Sequence, residues 1–243
     1  MRFMAFATRN RKEILRDPLT LMFGLGFPIV LTTLMSLMSS NIPEMPEIFS
    51  VANLAPGMAV FGLSFLSLFV GMLIAGDRDN AFAMRLFASP LRENDYILGY
   101  SLPMIPVGIA QCLICLLYGA IFGLRVDWYL LLTLVVLLPI VVLFIAFGFL
   151  IGAALNYRQV GGIATILINV AAWLSGTWFD LNMIGGAFKT IGYALPFAHA
   201  VDAVRASMAG NLGEILPHLW WVIGYAVVIF ALASWLFRKK MKN

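Results

Sequence analysis

Few residues in this sequence have the types and spacing that catalysis needs. Ser175 and His199 are the serine and histidine that an intramembrane serine protease would require, but Ser175 lacks the preceding Gly-x of such enzymes and His199 falls outside the apolar stretches. Cys112 and Cys115 have the spacing of a redox or metal pair, yet no histidine or second cysteine pair lies near them. In their apolar run they are better explained as buried packing residues. The sequence therefore indicates a protein that is not an enzyme and that holds no metal or cofactor of its own.

A charged and amphipathic segment is the better candidate for function. It begins with Asp77, Arg78 and Asp79 and continues into a predicted short helix that ends at Pro90. One face of this helix is apolar, with residues at i, i+1, i+4 and i+5, which are Phe82, Ala83, Leu86 and Phe87. Two arginines, Arg78 and Arg85, fall on another side. Such a helix beside a membrane either rests on lipid or docks into a groove of a soluble partner.

A second candidate lies near the end of the chain. Residues 180–217 are too apolar for a solvated loop, which predicts two short helices that dip into the outer leaflet and break near Gly192 and Pro196. Asp202 and Arg205 follow one turn apart and can pair, which lowers the cost of placing either charge near lipid. Pro196, Asp202 and Arg205 are thus candidate residues of an external gate; an interfacial cap that does not move is the alternative.

Six apolar stretches must position these residues. With 62% hydrophobic and 12% charged residues, the chain has too little polar surface for a soluble domain of this size. Each stretch is about as long as the ~20 residues that cross a hydrocarbon core. The predicted spans are residues 18–39, 54–76, 98–123, 130–155, 160–179 and 218–237.

The basic residues alternate between the gaps. Thirteen of the sixteen lie before the first span, between spans two and three, between four and five, or after the last, while the other gaps hold Arg125, Lys189 and Arg205 with six acids. Lysine and arginine favour the cytoplasmic side, so both termini are expected there, in a bacterial cytoplasmic (inner) membrane. The basic balance therefore indicates a lipid bilayer, and no nucleic acid, as the partner.

The N-terminal residues 1–17 are expected to form an interfacial elbow helix. Phe3 and Phe6 share one face, and Arg2, Arg9 and Arg16 follow at seven-residue spacing on another. Next come Asp17 and Pro18, a carboxylate at the N-cap and a proline at the first helical position. A frayed basic tail that only orients the protein remains the alternative.

Two spans carry a polar or small-residue stripe without charge. In span two the stripe includes Phe61, Ser64 and Leu68, and in span five it comprises Thr165, Asn169, Trp173 and Thr177. Polar atoms in lipid need partners or a cavity, so the stripes are candidates for a translocation path for apolar or amphipathic cargo. Ordinary helix packing explains both stripes equally well.

The order of these features resembles a known family. The charged cluster, the Leu-Phe pair, Ser89-Pro90, Leu91-Arg92-Glu93 and the return at Leu98-Gly99 are similar to the loop of ABC-2 type transporter permeases, the membrane subunits of ATP-binding-cassette exporters. The segment from Leu195 to Arg205 is similar to the one before the last span in that family. In Asp77-Arg78-Asp79-Asn80, Asn stands where Gly is common.

The resemblance implies an all-α polytopic membrane protein that forms a single ABC-2 type transmembrane domain over residues 1–243. Its parts would be the elbow helix 1–17, six transmembrane helices, a cytoplasmic coupling loop 77–92 and the external re-entrant segment 180–217. The ATPase-coupling residues would be Asp77, Arg78, Asp79, Phe82, Arg85, Leu86 and Phe87. Spans two and five would border the translocation path at the centre of a dimer.

The implied function is transport of a hydrophobic or amphipathic substrate, such as a drug-like molecule, a lipid or a lipid-linked glycan. The implied partners are two copies of an ABC ATPase subunit and a second permease copy or paralogue. Because the chain contains no Gly-Lys-Ser or Gly-Lys-Thr, ATP and Mg are expected on the ATPase. A channel or structural membrane protein without an ATPase partner is the main alternative, and the serine protease is a remote one.

Overall fold

The computed structural model describes residues 3–42, 46–79 and 93–241, and these residues form helices joined by turns, with no strand among them. The helices, in chain order, are α1 Phe3–Arg16, α2 Pro18–Asn41, α3 Val51–Asp79, α4 Glu93–Ser101, α5 Met104–Gly119, α6 Tyr129–Ala154, α7 Tyr157–Leu174, α8 Leu181–Ile184, α9 Gly186–Ala194, α10 Pro196–Met208 and α11 Leu212–Met241.

Five helical stretches are long and apolar enough to cross a membrane, counted over the described ranges. They are α2, α3, the stretch Asn94–Phe122 that contains α4 and α5, α6, and Leu212–Lys240 of α11. The fifth predicted span corresponds to α7, which is not among the five; this helix has only 18 residues and includes Arg158 and Asn169. The chain is therefore a multi-pass membrane protein built from helices.

Helix α3 occupies the centre of the bundle. Its most apolar part is 89% buried, compared with 22–50% for the other four stretches of membrane length. Gly148 and Gly152 of α6 lie close to α3, because a Cβ on either glycine would collide with the α3 backbone at Ser67 or Gly71. The two glycines let α6 pack directly against α3.

Two of the membrane-length helical stretches are irregular near prolines, which lack a backbone donor. Helix α2 contains a π-helical turn, Met22–Gly26, just before Pro28, and the stretch Asn94–Phe122 breaks at Leu102 and Pro103. Pro139 lies inside α6 without ending it. A proline leaves the carbonyl one turn earlier without its intrahelical donor, and a π-helical turn can accommodate this break in the hydrogen-bond pattern.

The helices run alternately between two ends of the bundle. At the Asp77 end, α1 packs beside the last turn of α3, and the Phe6 ring lies against Tyr96 and Tyr100 of α4. A side chain at Gly99 would overlap that ring. At the opposite end, named the Arg205 end, α8 to α10 cover the first turn of α3 and the last turn of α7. Helix α1 and the last turns of α11 both lie at the Asp77 end.

The start of α2 follows the sequence pattern. The Asp17 carboxylate accepts hydrogen bonds from the backbone N–H groups of Leu19 and Thr20, and Pro18 occupies the first helical position. This cap satisfies donors that a helix start leaves without partners. Asp17 itself has an extended backbone conformation, so α1 and α2 are separate helices.

Candidate functional sites at the two ends of the bundle

Asp77 joins three helices at the Asp77 end. Its carboxylate is 6% exposed and accepts two hydrogen bonds from the Arg9 guanidinium, of which the Nη2–Oδ1 contact measures 2.8 Å. Tyr100 donates its hydroxyl proton to the same carboxylate at 3.0 Å. Arg9 also pairs with Glu13 at 2.7 Å, and burial raises the pKa of Glu13 even though the Arg9 charge lowers it. A buried carboxylate needs such partners, and here they come from α1 and α4.

Arg78 caps the end of α6. Its Nη1 donates to the backbone carbonyls of Gly152 and Ala153, each at 2.7 Å. Lys240, from the last turns of α11, donates to the neighbouring carbonyl of Ala154. The last carbonyls of a helix have no intrahelical donor and carry partial negative charge, so cations are stabilised there. Arg78 therefore fixes the last turn of α3 to the last turn of α6.

Asp79 caps the start of α7. Its Oδ2 accepts a hydrogen bond from the backbone N–H of Tyr157 at 2.7 Å. A carboxylate at a helix N-terminus satisfies a free N–H and interacts favourably with the helix dipole. Asn156 and Gln159 form a capping box on the same turn. The start of α7 is therefore held by its own residues and by α3.

These three consecutive residues, here named the Asp77–Asp79 anchor, each bind a different part of the structure. Asp77 binds α1 and α4, Arg78 binds the end of α6, and Asp79 binds the start of α7. Of the predicted coupling residues, Phe82, Arg85, Leu86 and Phe87 lie outside the described residues. The anchor thus connects the residue before segment 80–92 to four helices of the bundle.

A cavity of about 760 Å³ opens beside the anchor, between α1, α2, α3 and the start of α7. Its lining includes the apolar side chains of Phe69, Met72 and Leu73 of α3. It also includes six charged side chains, those of Arg9, Glu13, Asp17, Asp77, Asp79 and Arg158. A cavity with this mixed lining fits a molecule that has both an apolar and a polar part.

The residues of the predicted stripe in span two lie inside the chain. Ser64 is fully buried and donates its hydroxyl proton to the Phe61 carbonyl at 2.6 Å, and Phe61 is 6% exposed. Leu68 is half-buried. Aromatic rings from α2 and from Trp178 cover Phe61 and its neighbour Phe65. In this arrangement Leu68 alone of the three presents appreciable surface.

The stripe in span five is exposed over three of its four residues. Thr165, Asn169 and Trp173 share an exposed face of α7, and the polar groups of Thr165 and Asn169 are satisfied by backbone carbonyls one turn earlier. The prediction that Thr177 continues this face is wrong, because α7 ends at Leu174 before Ser175 and Gly176, and Gly176 has a φ of 72°. Thr177 is buried, and its side chain lies against Gly57 of α3.

Arg205 is the main polar connection at the Arg205 end. The predicted contact with Asp202 is present at 3.6 Å, and α10 begins at Pro196, its predicted start. Arg205 also donates to two carbonyls that sequence reasoning did not include, those of Asn53 at 3.1 Å and Gly176 at 3.0 Å. Burial lowers the pKa of Arg205, and the charge of Asp202 opposes this. One side chain thus joins α10 to the start of α3 and to the turn after α7.

Tyr193 and His218 are further polar residues at this end whose connections the sequence did not reveal. Tyr193 donates its hydroxyl proton to Asp202 at 2.9 Å, and burial, with the Asp202 charge, raises the pKa of Tyr193 to about 12. His199 contacts His218 and the Tyr193 carbonyl through its two ring nitrogens. Ser175 instead bonds to Thr177. Ser175 and His199 therefore do not form a catalytic pair in this structure.

Comparison with known proteins adds an independent observation. A family model described as ABC-2 type transporter matches residues 1–209. The chain is 22% identical over 237 residues to YvfS of Bacillus subtilis (strain 168), whose name describes a transport permease, and the match covers 94% of both chains.

Two further relatives match a shorter part of the chain. Nodulation protein J of Rhizobium meliloti (strain 1021) is 36% identical over 78 residues, and nodulation protein J of Rhizobium leguminosarum bv. viciae is 31% identical over 78 residues. These matches cover 32% of this chain and about 30% of the length of each nodulation protein.

Proposed function

This chain belongs to the ABC-2 type transporter family, and from that premise we propose that it is the membrane subunit of an ATP-driven exporter. Residues 1–243 form one transmembrane domain in this proposal, and α7 crosses the membrane in addition to the five stretches of membrane length. ATP is hydrolysed, with Mg, on two copies of a separate ABC ATPase subunit. The observation that carries the proposal is the Asp77–Asp79 anchor, whose three residues directly precede segment 80–92 and contact four other helices of the bundle.

Segment 80–92 is the proposed coupling segment, and its apolar residues Phe82 and Leu86 dock on the ATPase. Because Arg78 holds the end of α6 and Asp79 holds the start of α7, a displacement of the segment moves both helix ends with it. Interfaces and packed helices switch between discrete arrangements, so a small shift at this end is amplified along the helix. The anchor residues transmit the movement; they are already bonded within the chain.

The proposed substrate is hydrophobic or amphipathic, within the range of drug-like molecules, lipids and lipid-linked glycans. The cavity beside the anchor supports this substrate class, because both apolar and charged side chains line it. Arg158 offers a positive charge there, close to Tyr157 and the start of α7. An apolar chain against Phe69 and Met72, with its polar end near Arg158, would satisfy both kinds of side chain.

The proposed translocation path lies between two copies of the chain, or between this chain and a paralogue. The exposed face of α7 that carries Thr165, Asn169 and Trp173 borders it, with Leu68 of α3 beside it. Phe61 and Ser64 reach the path only if the aromatic rings around Phe61 move apart. At the Arg205 end, Pro196, Asp202 and Arg205 belong to the segment that gates the exit.

The proposed location is the bacterial cytoplasmic membrane, with both termini in the cytoplasm. The basic residues of α1 and the tail of α11 lie at the Asp77 end, together with Arg78 and Arg158. A bias of lysine and arginine to one end is typical of the cytoplasmic side.

The test is reconstitution with a candidate ABC ATPase subunit, which is sought first among the genes next to this one. The two subunits are co-expressed, purified together and placed in vesicles, where ATP-dependent movement of a fluorescent hydrophobic dye or labelled lipid is measured. We expect transport that stops when the P-loop lysine of the ATPase is replaced. Transport without ATP, or unaltered by that replacement, would contradict the proposal and favour a channel.

A further inference from the structure

Two histidines face each other at the Arg205 end through the same type of ring nitrogen. His199 of α10 and His218 of α11 have their Nδ1 atoms 2.8 Å apart. The other ring nitrogen of His199, Nε2, lies 2.9 Å from the backbone carbonyl oxygen of Tyr193. Both nitrogens of His199 are therefore within hydrogen-bond distance of a partner, and the two partners lie on either side of α10 in the sequence.

These contacts determine where the protons lie. A carbonyl oxygen can only accept, so Nε2 of His199 must carry a proton. In a neutral His199, Nδ1 then has a lone pair and accepts from Nδ1–H of His218. The contacts of the neutral pair are thus satisfied in one arrangement of tautomers, with His218 donating to His199 and His199 donating to Tyr193.

Adding protons to the pair has two different effects. A first added proton can bind Nε2 of His218, and it leaves both hydrogen bonds intact. A second added proton must bind Nδ1 of His199, and two N–H groups would then face each other at a nitrogen–nitrogen distance of 2.8 Å. Two donors at that distance repel, so the contact between His199 and His218 must open when both rings are charged.

The groups around His199 come from three helices. Tyr193 lies on α9, Asp202 on α10, and His218 with Trp221 on α11. Burial lowers the pKa of His199; the charge of His218 also lowers it, and the Tyr193 carbonyl and the Asp202 charge raise it. Asp202 already accepts a bond from Tyr193 and lies near Arg205. Glu214 is exposed one turn before His218.

The pair is one end of a longer series of contacts. His218 contacts His199, His199 contacts Tyr193, the Tyr193 hydroxyl bonds to Asp202, and Asp202 pairs with Arg205. Arg205 then reaches the carbonyls of Asn53 and Gly176. The series connects the first turns of α11 with α9, α10, the start of α3 and the turn after α7.

We propose that His199 and His218 form a proton-binding clasp, and that binding of the second proton releases α11 from α9 and α10 at the Arg205 end. The clasp goes beyond the transport function and does not depend on an ATPase or a substrate. Because the folded state disfavours the charged form of His199, the contribution of the clasp to stability is complete above the ordinary histidine pKa of 6.5 and is lost as the pH falls below it.

The stacking of His199 on Trp221 gives a direct measurement. The two rings are nearly parallel, with an interplanar angle of 3° and a centroid separation of 5.2 Å. A charged imidazolium quenches indole fluorescence more strongly than a neutral imidazole. The Trp221 contribution is obtained by subtracting the emission of Trp221→Phe from that of the parent chain, both in lipid nanodiscs, between about pH 8 and about pH 4.

We expect the Trp221 emission to fall with a midpoint below pH 6.5, and the melting temperature of the parent chain to fall over the same range. His199→Gln is the matched control, because its amide can donate to Tyr193 and accept from His218 but does not titrate in this range. Its Trp221 emission should show no transition there, and its melting temperature should fall by less than that of the parent over the same range. In His218→Gln the midpoint should move upward, since the opposing charge is gone.

Three results would overturn the clasp. The first is an unchanged Trp221 emission down to about pH 4. The second is the same pH dependence of melting in the parent and in His199→Gln. The third is a parent midpoint above pH 6.5, which would mean that the folded state favours the charged ring. If His199→Gln does not fold, the direction of the midpoint shift in His218→Gln decides alone, and a downward shift or none contradicts the proposal.

Discussion

The carboxylate of Asp79 accepts a hydrogen bond at 2.7 Å from the backbone N–H of Tyr157, although 78 residues separate the two in sequence. Asp79 is the last residue of α3, and Tyr157 is the first of α7. The contact therefore joins the residue before the proposed coupling segment to the helix that carries Thr165, Asn169 and Trp173. In the proposed function, movement at one site would reach the other through this single hydrogen bond and the helix dipole it stabilises.

Replacement of Asp79 by alanine should separate ATP hydrolysis from transport. The N–H of Tyr157 loses its acceptor, which costs about 1 kcal/mol at a helix start. We expect the complex to assemble and hydrolyse ATP while substrate movement falls, as measured with labelled lipid in vesicles. Asp79→Asn is the matched control, because its amide oxygen can still accept the bond. Equal transport by the parent and by Asp79→Ala would remove Asp79 from the coupling route.

Replacement of Arg9 by alanine should destabilise the Asp77 end. Asp77 would stay buried with the Tyr100 hydroxyl as its remaining described donor. Unpairing a buried charge costs about 3–5 kcal/mol, and since the Arg9 side chain is 35% exposed we expect about 2 kcal/mol. Thermal unfolding in detergent measures the loss. The control is Arg11→Ala, which removes a charge from an exposed position on the same helix.

Adding Asp77→Asn to Arg9→Ala should recover part of that loss, because a neutral amide needs no cation. The double-mutant cycle then gives the coupling energy between the two residues. Additive effects would show that the contact between Arg9 and Asp77 contributes nothing to stability.

Introducing charge on the apolar face of the coupling segment should prevent binding of the ATPase. With Phe82 and Leu86 both replaced by Asp, carboxylates would have to enter a desolvated groove, so co-purification should be lost. Lys12→Asp on the exposed side of α1 tests whether a negative charge at this end is harmful in itself. A normal complex with substrate-stimulated hydrolysis would exclude this docking face.

Arg205→Ala should reduce transport while the complex still assembles. The carbonyls of Asn53 and Gly176 lose their donor, and Asp202 loses its cation, for a cost of about 2 kcal/mol at this partly shielded site. Transport of a hydrophobic dye in vesicles measures the effect. Arg205→Lys keeps the charge but not both carbonyl contacts, so we expect an intermediate rate.

The charge-swapped variant of Asp202 and Arg205 distinguishes a pair from a wider connection. If the pair alone mattered, Asp202→Arg with Arg205→Asp would recover transport. The structure predicts no recovery, because an aspartate at position 205 cannot donate to the carbonyls that Arg205 contacts. Full recovery would show that these carbonyl contacts are dispensable, and unchanged transport in Arg205→Ala would leave the segment a passive cap.

Single cysteines should map the proposed path. In a background without Cys112 and Cys115, which are both buried, a cysteine at Asn169 should react with a water-soluble maleimide and crosslink between two copies in a nucleotide-dependent way. A cysteine at Ser64 should react slowly, because this position is fully buried. The reverse order of reactivity would place the path on the other side of α3.

Sequence reasoning predicted features that depend on local spacing. The cap at Asp17, the helix start at Pro196 and the pair of Asp202 and Arg205 each involve residues within one turn of each other. The contacts of Arg78 and Arg205 with distant carbonyls were not predicted, because every residue has a carbonyl and its type gives no signal.

The polar stripes of spans two and five show a second limit of prediction from the sequence. A spacing of four residues predicted that Thr177 continues the face of Thr165 and Asn169. The helix ends at Leu174, and beyond that residue a spacing of four no longer places side chains on one face. In α3 the spacing grouped Phe61, Ser64 and Leu68 on one side. It could not show that neighbouring helices cover almost the whole circumference of α3, since this depends on how all the helices pack.

The central position of α3 has a consequence for how the protein is made. Of the helices that enclose it, α2 precedes it, but α5, α6, α7 and α10 follow it in the chain, so the nascent chain must hold α3 in lipid before these four are synthesised. Ser64 and Ser67 do not hinder this stage, because each hydroxyl bonds to a carbonyl of its own helix. Asp77 can already pair with Arg9 of α1 at this stage, whereas Tyr100 and the carbonyls that Arg78 contacts come later in the chain. Both residues stand at the last turn of α3, where headgroups and water can solvate them until those later helices arrive.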